Sequence, residues 1–172
     1  EYRRQRQMCI RDRAKVPEAR FLFLGTGLGA TEVLADLNLP AYNWIEILPC
    51  YNSDELPALL SGATVGAFPS YMEGFGFAVL EKLACGLPTI SYDIPGPREM
   101  LRTLDSSFTI PVGNVEKFSD RLIKLLQIDE AEYNRISHLC VQAAENFSWS
   151  KIARDHLNVY TDFLEKSQTF QK

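Results

Sequence analysis

Short apolar runs alternate with stretches of helical period along this chain. Residues 20–24 (Arg-Phe-Leu-Phe-Leu), 43–48, 64–68, 89–92 and 107–110 are rich in large or β-branched side chains and bounded by Gly, Pro, Asn or Asp, the pattern of buried strands. Between them lie segments with apolar residues at helical spacing. One runs from Ala30 to about Leu37. A second has Ser53 placed to cap it, Asp54 and Glu55 in its first turn, and Leu56, Leu59 and Leu60 on one face. A third runs from about Phe77 to Gly86, where Pro88 forbids continuation, and a fourth opens at Pro97. Three further helices follow: one carrying Phe118, Leu122, Ile123, Leu125 and Leu126, one over 130–146, and one from Ser148 carrying Ile152, Leu157, Tyr160 and Phe163. Strands alternating with helices predict an α/β fold with a parallel, doubly wound, Rossmann-like sheet, right-handed crossovers and C-terminal helices.

The turns between these elements carry the candidate chemistry. Residues 69–81, Pro-Ser-Tyr-Met-Glu-Gly-Phe-Gly-Phe-Ala-Val-Leu-Glu, read as the end of a strand, a glycine-rich loop and a helix start. Val65 to Phe68 suits a strand covered on both faces. Gly74 and Gly76 allow close backbone approach, and the helix opening at Phe77 presents unsatisfied N–H groups, an anion site. Glu73 and Glu81 flank it; carboxylates beside an anion suit sugar hydroxyls better than phosphate. An earlier turn, Gly25-Thr26-Gly27-Leu28-Gly29-Ala30, follows a strand and fits the loose G-x-G-x-x-A dinucleotide pattern, with Glu46 about twenty positions on as a ribose acid. That spacing supports a rival reading, a nicotinamide-dependent oxidoreductase. A third turn, residues 93–99, lies at the same sheet edge, with Arg98 expected to pair with Asp93 or Glu99.

Two glutamates seven residues apart around Gly-Phe-Gly, followed by Glu-Lys-Leu-Ala-Cys-Gly-Leu-Pro, resemble the signature of the family-4 retaining glycosyltransferases of GT-B fold, with similarity over roughly residues 20–149. The resemblance implies that Glu73 contacts donor-sugar hydroxyls as the catalytic-site carboxylate. It places Glu81 at the nucleotide ribose and the backbone of Gly74, Phe75, Gly76 and Phe77 against the diphosphate and sugar. It also sets the Gly25 and Gly27 turn near the donor phosphates, and Leu48 and Pro49 in the loop that receives the base; Pro49 stands where the family usually has glycine. The implied donor is a UDP-, GDP- or ADP-sugar, with no other cofactor and no metal. The implied partner is an acceptor-binding N-terminal domain absent from this sequence. A non-catalytic nucleotide-binding or interaction module is the alternative of a different class.

Composition narrows the rest. The 172 residues allow one domain, and 46% hydrophobic and 23% charged content is that of a globular protein. Residues 3–12, Arg-Arg-Gln-Arg-Gln-Met-Cys-Ile-Arg-Asp, resemble the translation of a transposase sequencing-library adapter, so 1–13 reads as a non-native leader. Removing its five Arg and two acids from the 18 basic and 22 acidic residues leaves 13 and 20, a net charge of −7. The basic start is therefore no phosphate patch, and nucleic acid is excluded as a partner. The expected organisation is a donor-binding domain over 14–147 and a C-terminal helix, 148–172, that packs on the missing domain. Cys9, Cys50, Cys85 and Cys140 lack metal-ligand spacing and read as reduced thiols, with Cys85 and Cys140 buried. His138 and His156 have no ligand-spaced companion and read as surface residues. No apolar run is long enough to cross a bilayer and no secretory signal is visible. The expected location is cytoplasmic, peripheral to the inner membrane only if the missing half binds there.

Overall fold

The structure, a computed structural model, describes residues 11–169; residues 3–10 of the adapter-like segment, including Cys9, lie outside it. The elements follow the expected alternation: β1 (Phe21–Leu24), α1 (Ala30–Leu37), β2 (Ile45–Leu48), α2 (Leu56–Leu60), β3 (Gly66–Phe68), α3 (Phe77–Ala84), β4 (Thr89–Tyr92), α4 (Pro97–Leu101), β5 (Thr109–Ile110), α5 (Val115–Leu126), α6 (Glu130–Glu145) and α7 (Trp149–Thr169). Every pairing is parallel. Phe21 lies beside Ile45, Gly66 beside Thr89, and Ser91 beside Thr109.

The strands form two hydrogen-bonded ladders, β1–β2 and β3–β4–β5, rather than one continuous sheet. β3 is also shortened on its β4 side. Its ladder with β4 begins at Gly66, whose N–H donates to the Pro88 carbonyl at 2.8 Å. One step earlier in this register the Thr64 carbonyl would need a donor at position 88, and proline has none. The expected strand over 64–68 is thereby cut to three residues. Side chains bridge the seam: Leu24 of β1 and Tyr51 pack on the buried cluster of Leu56, Leu60 and Leu87.

Burial is unequal across the seam. All four residues of β4 are buried, and the main core gathers around them from α3, α4, α5 and α6, with Val79, Leu83, Met100, Phe118, Leu125 and Cys140 at its centre. Gly66 is required by this crowding, since a Cβ there would lie 2.4 Å from Thr89 Oγ1. β1 and β2 pack on α1 through Phe23, Ile45, Ile47, Val33 and Leu37, while Leu22 and Glu46, opposite each other in the register, face outward.

Side chains cap several of the helices. Asn114 and Asp129 accept amides at the starts of α5 and α6, at 3.0 and 2.8 Å. α2 differs: Asn52, not Ser53, holds the cap, its N–H donating to the Glu55 carboxylate at 2.7 Å, and Ser53 lies in a 3₁₀ turn that precedes the helix. β5 is shorter than expected because the Asp105 carboxylate accepts the Ser107 amide at 2.7 Å and coils residues 106–108.

Two buried-group expectations divide. Cys140 is buried and its thiol is pushed up to about 12 by burial. Cys85 is exposed, because it is the C-cap of α3, where the chain turns out through Gly86 at φ +72°. Residues 11–15 are helical and dock on α5. The Asp12 carboxyl is buried, accepts a hydrogen bond from Ser119 and is raised to about 6 by burial, while Arg11 and Lys15 pair with Asp120. His138 and His156 are exposed.

Candidate functional site

The glycine loop leaves β3 and returns into α3 at the C-terminal edge of the β3–β4–β5 ladder, the edge at which open α/β sheets take ligands. Ser70 Oγ donates to the Met72 carbonyl at 3.1 Å and tightens the turn before Glu73. The Tyr71 ring lies 5.3 Å from Tyr92, whose ring meets Phe118 at 5.1 Å, so the base of the loop is keyed into the main core. Gly76 caps α3 at φ +87°, a conformation that costs glycine little and other residues much. The Val79 and Leu80 amides donate to the Gly76 carbonyl at 2.9 and 3.4 Å. The amides of Gly74, Phe75, Gly76, Phe77 and Ala78 donate to no group among the described residues. Glu73 is half-buried and Glu81 exposed, and neither carboxylate has an ion pair among the described residues. A run of unspent donors thus lies between two unspent acceptors.

The loop over 93–99 buttresses this one. Gly96, at φ +84°, lies so close that a Cβ on it would sit 2.3 Å from the Phe75 carbonyl oxygen, and a Cβ on Gly76 would sit 2.9 Å from Pro97 Cγ. Its own amides are largely consumed: Asp93 donates to Ile110 at 2.7 Å, Ile94 to Tyr92 at 2.9 Å and Arg98 to Ile94 at 3.0 Å. Arg98 is paired as expected. Its Nε donates to Asp93 Oδ1 at 2.5 Å and its Nη2 to the Asp93 carbonyl at 2.9 Å, and the hydrogen bond to Asp93 raises its pKa. Glu99 pairs with Arg102 at 3.3 Å, on the surface.

The turn at Gly25 and Gly27 has both glycines left-handed, at φ +67° and +66°. Their amides are already used, Gly25 donating to the Leu48 carbonyl at 2.9 Å and Gly27 to Pro49 at 3.0 Å. Leu48 and Pro49 are half-buried and hold this turn against the end of β2. The helix that follows starts under an acidic cover, with Glu32 Oε2 only 2.8 Å from where a Gly29 Cβ would be. These features weigh against the nicotinamide reading. Glu46 is the second residue of β2 and faces outward beside Leu22, away from the strand end where a ribose acid belongs.

Two side chains near the site carried no signal in the pattern of the sequence. Lys82, on the turn of α3 after Glu81, points inward with Nζ 5.4 Å from the Phe68 ring centroid and its stem against Gly66. Burial pushes its amine down to about 8, against a smaller raising effect of Glu81. Phe147 meets the Phe75 ring edge-on at 5.8 Å, and Phe75 in turn lies 4.9 Å from Phe77. Helical spacing at Lys82 gives no sign that the lysine turns inward, and contact between residues 75 and 147 is a property of the fold. Among the described residues no cluster of His, Cys, Asp and Glu could hold a metal ion, and no helix is long and apolar enough to cross a membrane.

Comparison with known proteins gives the family and the fold. The model of the family described as glycosyl transferases group 1 matches residues 10–138. A D-inositol 3-phosphate glycosyltransferase of Salinispora tropica is 30% identical over 125 residues, 73% of this chain and 26% of that protein. A D-inositol 3-phosphate glycosyltransferase of Streptomyces bingchenggensis is 31% identical over 81% of this chain and 31% of its own. The O-antigen chain mannosyltransferase B of Escherichia coli is 27% identical over 68% of this chain and 30% of its own. Sucrose-phosphate synthase from Thermosynechococcus elongatus superposes on 96% of this chain with a TM-score of 0.75 at 20% identity, using 44% of that structure. The fold is that of one half of a GT-B enzyme, and the chain spans about a third of the length of the curated relatives it matches.

Proposed function

The chain belongs to the glycosyl transferases group 1 family, and from that premise we propose that it is the donor-binding half of a retaining, family-4-type transferase. The full protein would move a sugar from a UDP-, GDP- or ADP-sugar to an acceptor held by the remaining domain. The observation that carries this reading is the run of unspent amides from Gly74 to Ala78 between Glu73 and Glu81.

The chemistry follows from charge. Cleaving a sugar from a nucleotide leaves a diphosphate whose negative charge grows in the transition state. Preorganised amides at a helix start stabilise that charge without moving, and they act without a metal. Glu73 holds the sugar hydroxyls and sets its negative charge beside the oxocarbenium-like anomeric carbon. Glu81, one turn into α3, takes the ribose. The turn of Gly25 and Gly27, pinned to Leu48 and Pro49, forms the wall near the base. Arg98 is held by Asp93 and supports the loop rather than the phosphates. The acceptor, and further cations for the diphosphate, belong to the rest of the protein. The exposed apolar face of α7 is where that part would pack.

On this reading the chain alone binds a nucleoside diphosphate weakly and transfers no sugar. Isothermal titration with UDP, GDP and ADP and their sugars tests it. Heat from at least one, reduced by Glu81→Ala, supports a working site. No heat from any of them at millimolar concentration overturns it and leaves the interaction-module reading.

A further inference from the structure

The joint between α6 and α7 touches the donor loop through the Phe147 ring. Phe147 lies at that joint, its amide donating to the Ala144 carbonyl at 2.9 Å, followed by Ser148 donating to Glu145 at 3.2 Å and Ile152 to Ser148 at 3.0 Å. Its half-buried ring packs against the main core and meets Phe75 edge-on at 5.8 Å. Phe75 is the residue between the two loop glycines. Its ring meets Phe77 at 4.9 Å, and its carbonyl is the atom against which Gly96 is fitted. The loop is therefore clamped on two sides, by Gly96 and Pro97 on the backbone side and by Phe147 on the ring side. Beyond the joint Trp149, Leu157 and Tyr160 of α7 are exposed, and Ile152 is half-buried.

We propose that Phe147 is a positioning residue that couples the direction of α7 to the conformation of the donor loop. This rests on the reading of that loop as the diphosphate site. The physical argument is one of stiffness. Gly74 and Gly76 leave the loop free to take several conformations, and its amides make no internal bonds that would select one. The Phe75 ring is the handle by which the surroundings select it. An edge-to-face pair holds orientation as well as distance. Whatever pulls on α7 shifts the α6–α7 joint, moves Phe147, and through Phe75 re-aims the amides from Gly74 to Ala78. Coupling of this kind is reciprocal, so a diphosphate seated on the loop also biases the joint.

The test reads the loop directly in this chain. The Val79 and Leu80 amides are bonded to the Gly76 carbonyl, so their hydrogen exchange reports whether the loop holds its shape, with the Ile90 and Tyr92 amides of β4 as the internal reference. Phe147→Ala is expected to speed exchange at Val79 and Leu80 up to about tenfold while β4 is unchanged, and Phe147→Tyr, which keeps the ring edge, to restore the native rate. Phe147→Leu keeps apolar volume without the ring, and intermediate loss is expected. The proposal is overturned if Phe147→Ala and Phe147→Leu leave Val79 and Leu80 at native rates, or if β4 exchange rises in parallel, which marks general destabilisation. The same variants are titrated with UDP, GDP and ADP, and an approximately tenfold weaker affinity for Phe147→Ala is expected for whichever binds. Altered exchange with no diphosphate bound by the native chain rejects the donor-site reading and leaves the coupling intact.

Discussion

Lys82 shows how one half-buried side chain sets a pH dependence. Its amine is pushed down to about 8 by burial, while the unfolded chain keeps an ordinary lysine near 10.4. Between those values the unfolded state binds the proton and the folded state does not, so stability rises with pH through that window. Below about pH 8 both states carry the proton and the full penalty of holding a charge beside Phe68 and Gly66 is felt. Lys82→Met, which keeps the stem and removes the ammonium, is expected to raise stability at pH 7 by roughly 2 kcal/mol and to flatten the rise above pH 8. Urea melts at pH 7 and pH 10 check it; equal slopes for both proteins would contradict it. Glu73 is argued at the same scale. Because its carboxylate is unspent and is assigned to sugar hydroxyls, Glu73→Gln should weaken binding of a nucleotide sugar about tenfold and leave the parent diphosphate unchanged. Competition titrations separate the two, and an equal loss for both ligands would move Glu73 from the sugar to the phosphates.

The elements carry a different lesson about what a sequence shows. α3 was readable end to end because its limits are set by local backbone chemistry, glycine at 76 and Gly86 followed by Pro88. The loop before it was readable because its glycines and flanking acids are contiguous in the chain. The brace behind that loop was not. That Gly96 backs onto the Phe75 carbonyl depends on the crossover from β3 through α3 to β4 placing residues 75 and 96 side by side, and no local pattern contains that information. The exposure of Cys85 follows from the path of the C-cap, not from the apolarity of the side chain. Asp12 falls inside a segment set aside on its resemblance to an adapter, yet it is buried against Ser119, an outcome decided by the space α5 offers. A consequence belongs to the brace itself. Gly96→Ala would force a Cβ onto a backbone oxygen at a positive φ, and is expected to cost at least about 2 kcal/mol. Diphosphate affinity should fall with it. Thermal melts with titrations at a temperature where the variant is folded check both, and a melt within a degree of native would show that the two loops are free to part.

At the scale of the whole molecule the chain divides into a well-buried core and an attached helix. α7 spans 21 residues, and Trp149, Leu157, Val159, Tyr160, Phe163 and Leu164 are all exposed. Spread along one side of the helix, these residues expose much apolar surface to water. Deleting residues 150–172 is therefore expected to change the melting temperature by less than about 3 °C while lowering concentration-dependent self-association. Calorimetry and light scattering read the two effects, and a large drop in melting temperature would place α7 within the core.

The seam between the two ladders has a kinetic meaning. A junction held by Leu24, Tyr51, Leu56, Leu60 and Leu87, with no backbone bonds crossing it among the described residues, is a perforation along which the domain can tear. The amides of β1 and β2 should then trade their protons with solvent through a cheaper opening than those of β4. Native-state exchange in increasing urea would show two isotherms that merge only near the global transition. The side of the cleft assigned to the base and the side assigned to the phosphates would thus belong to separately melting leaves of one book.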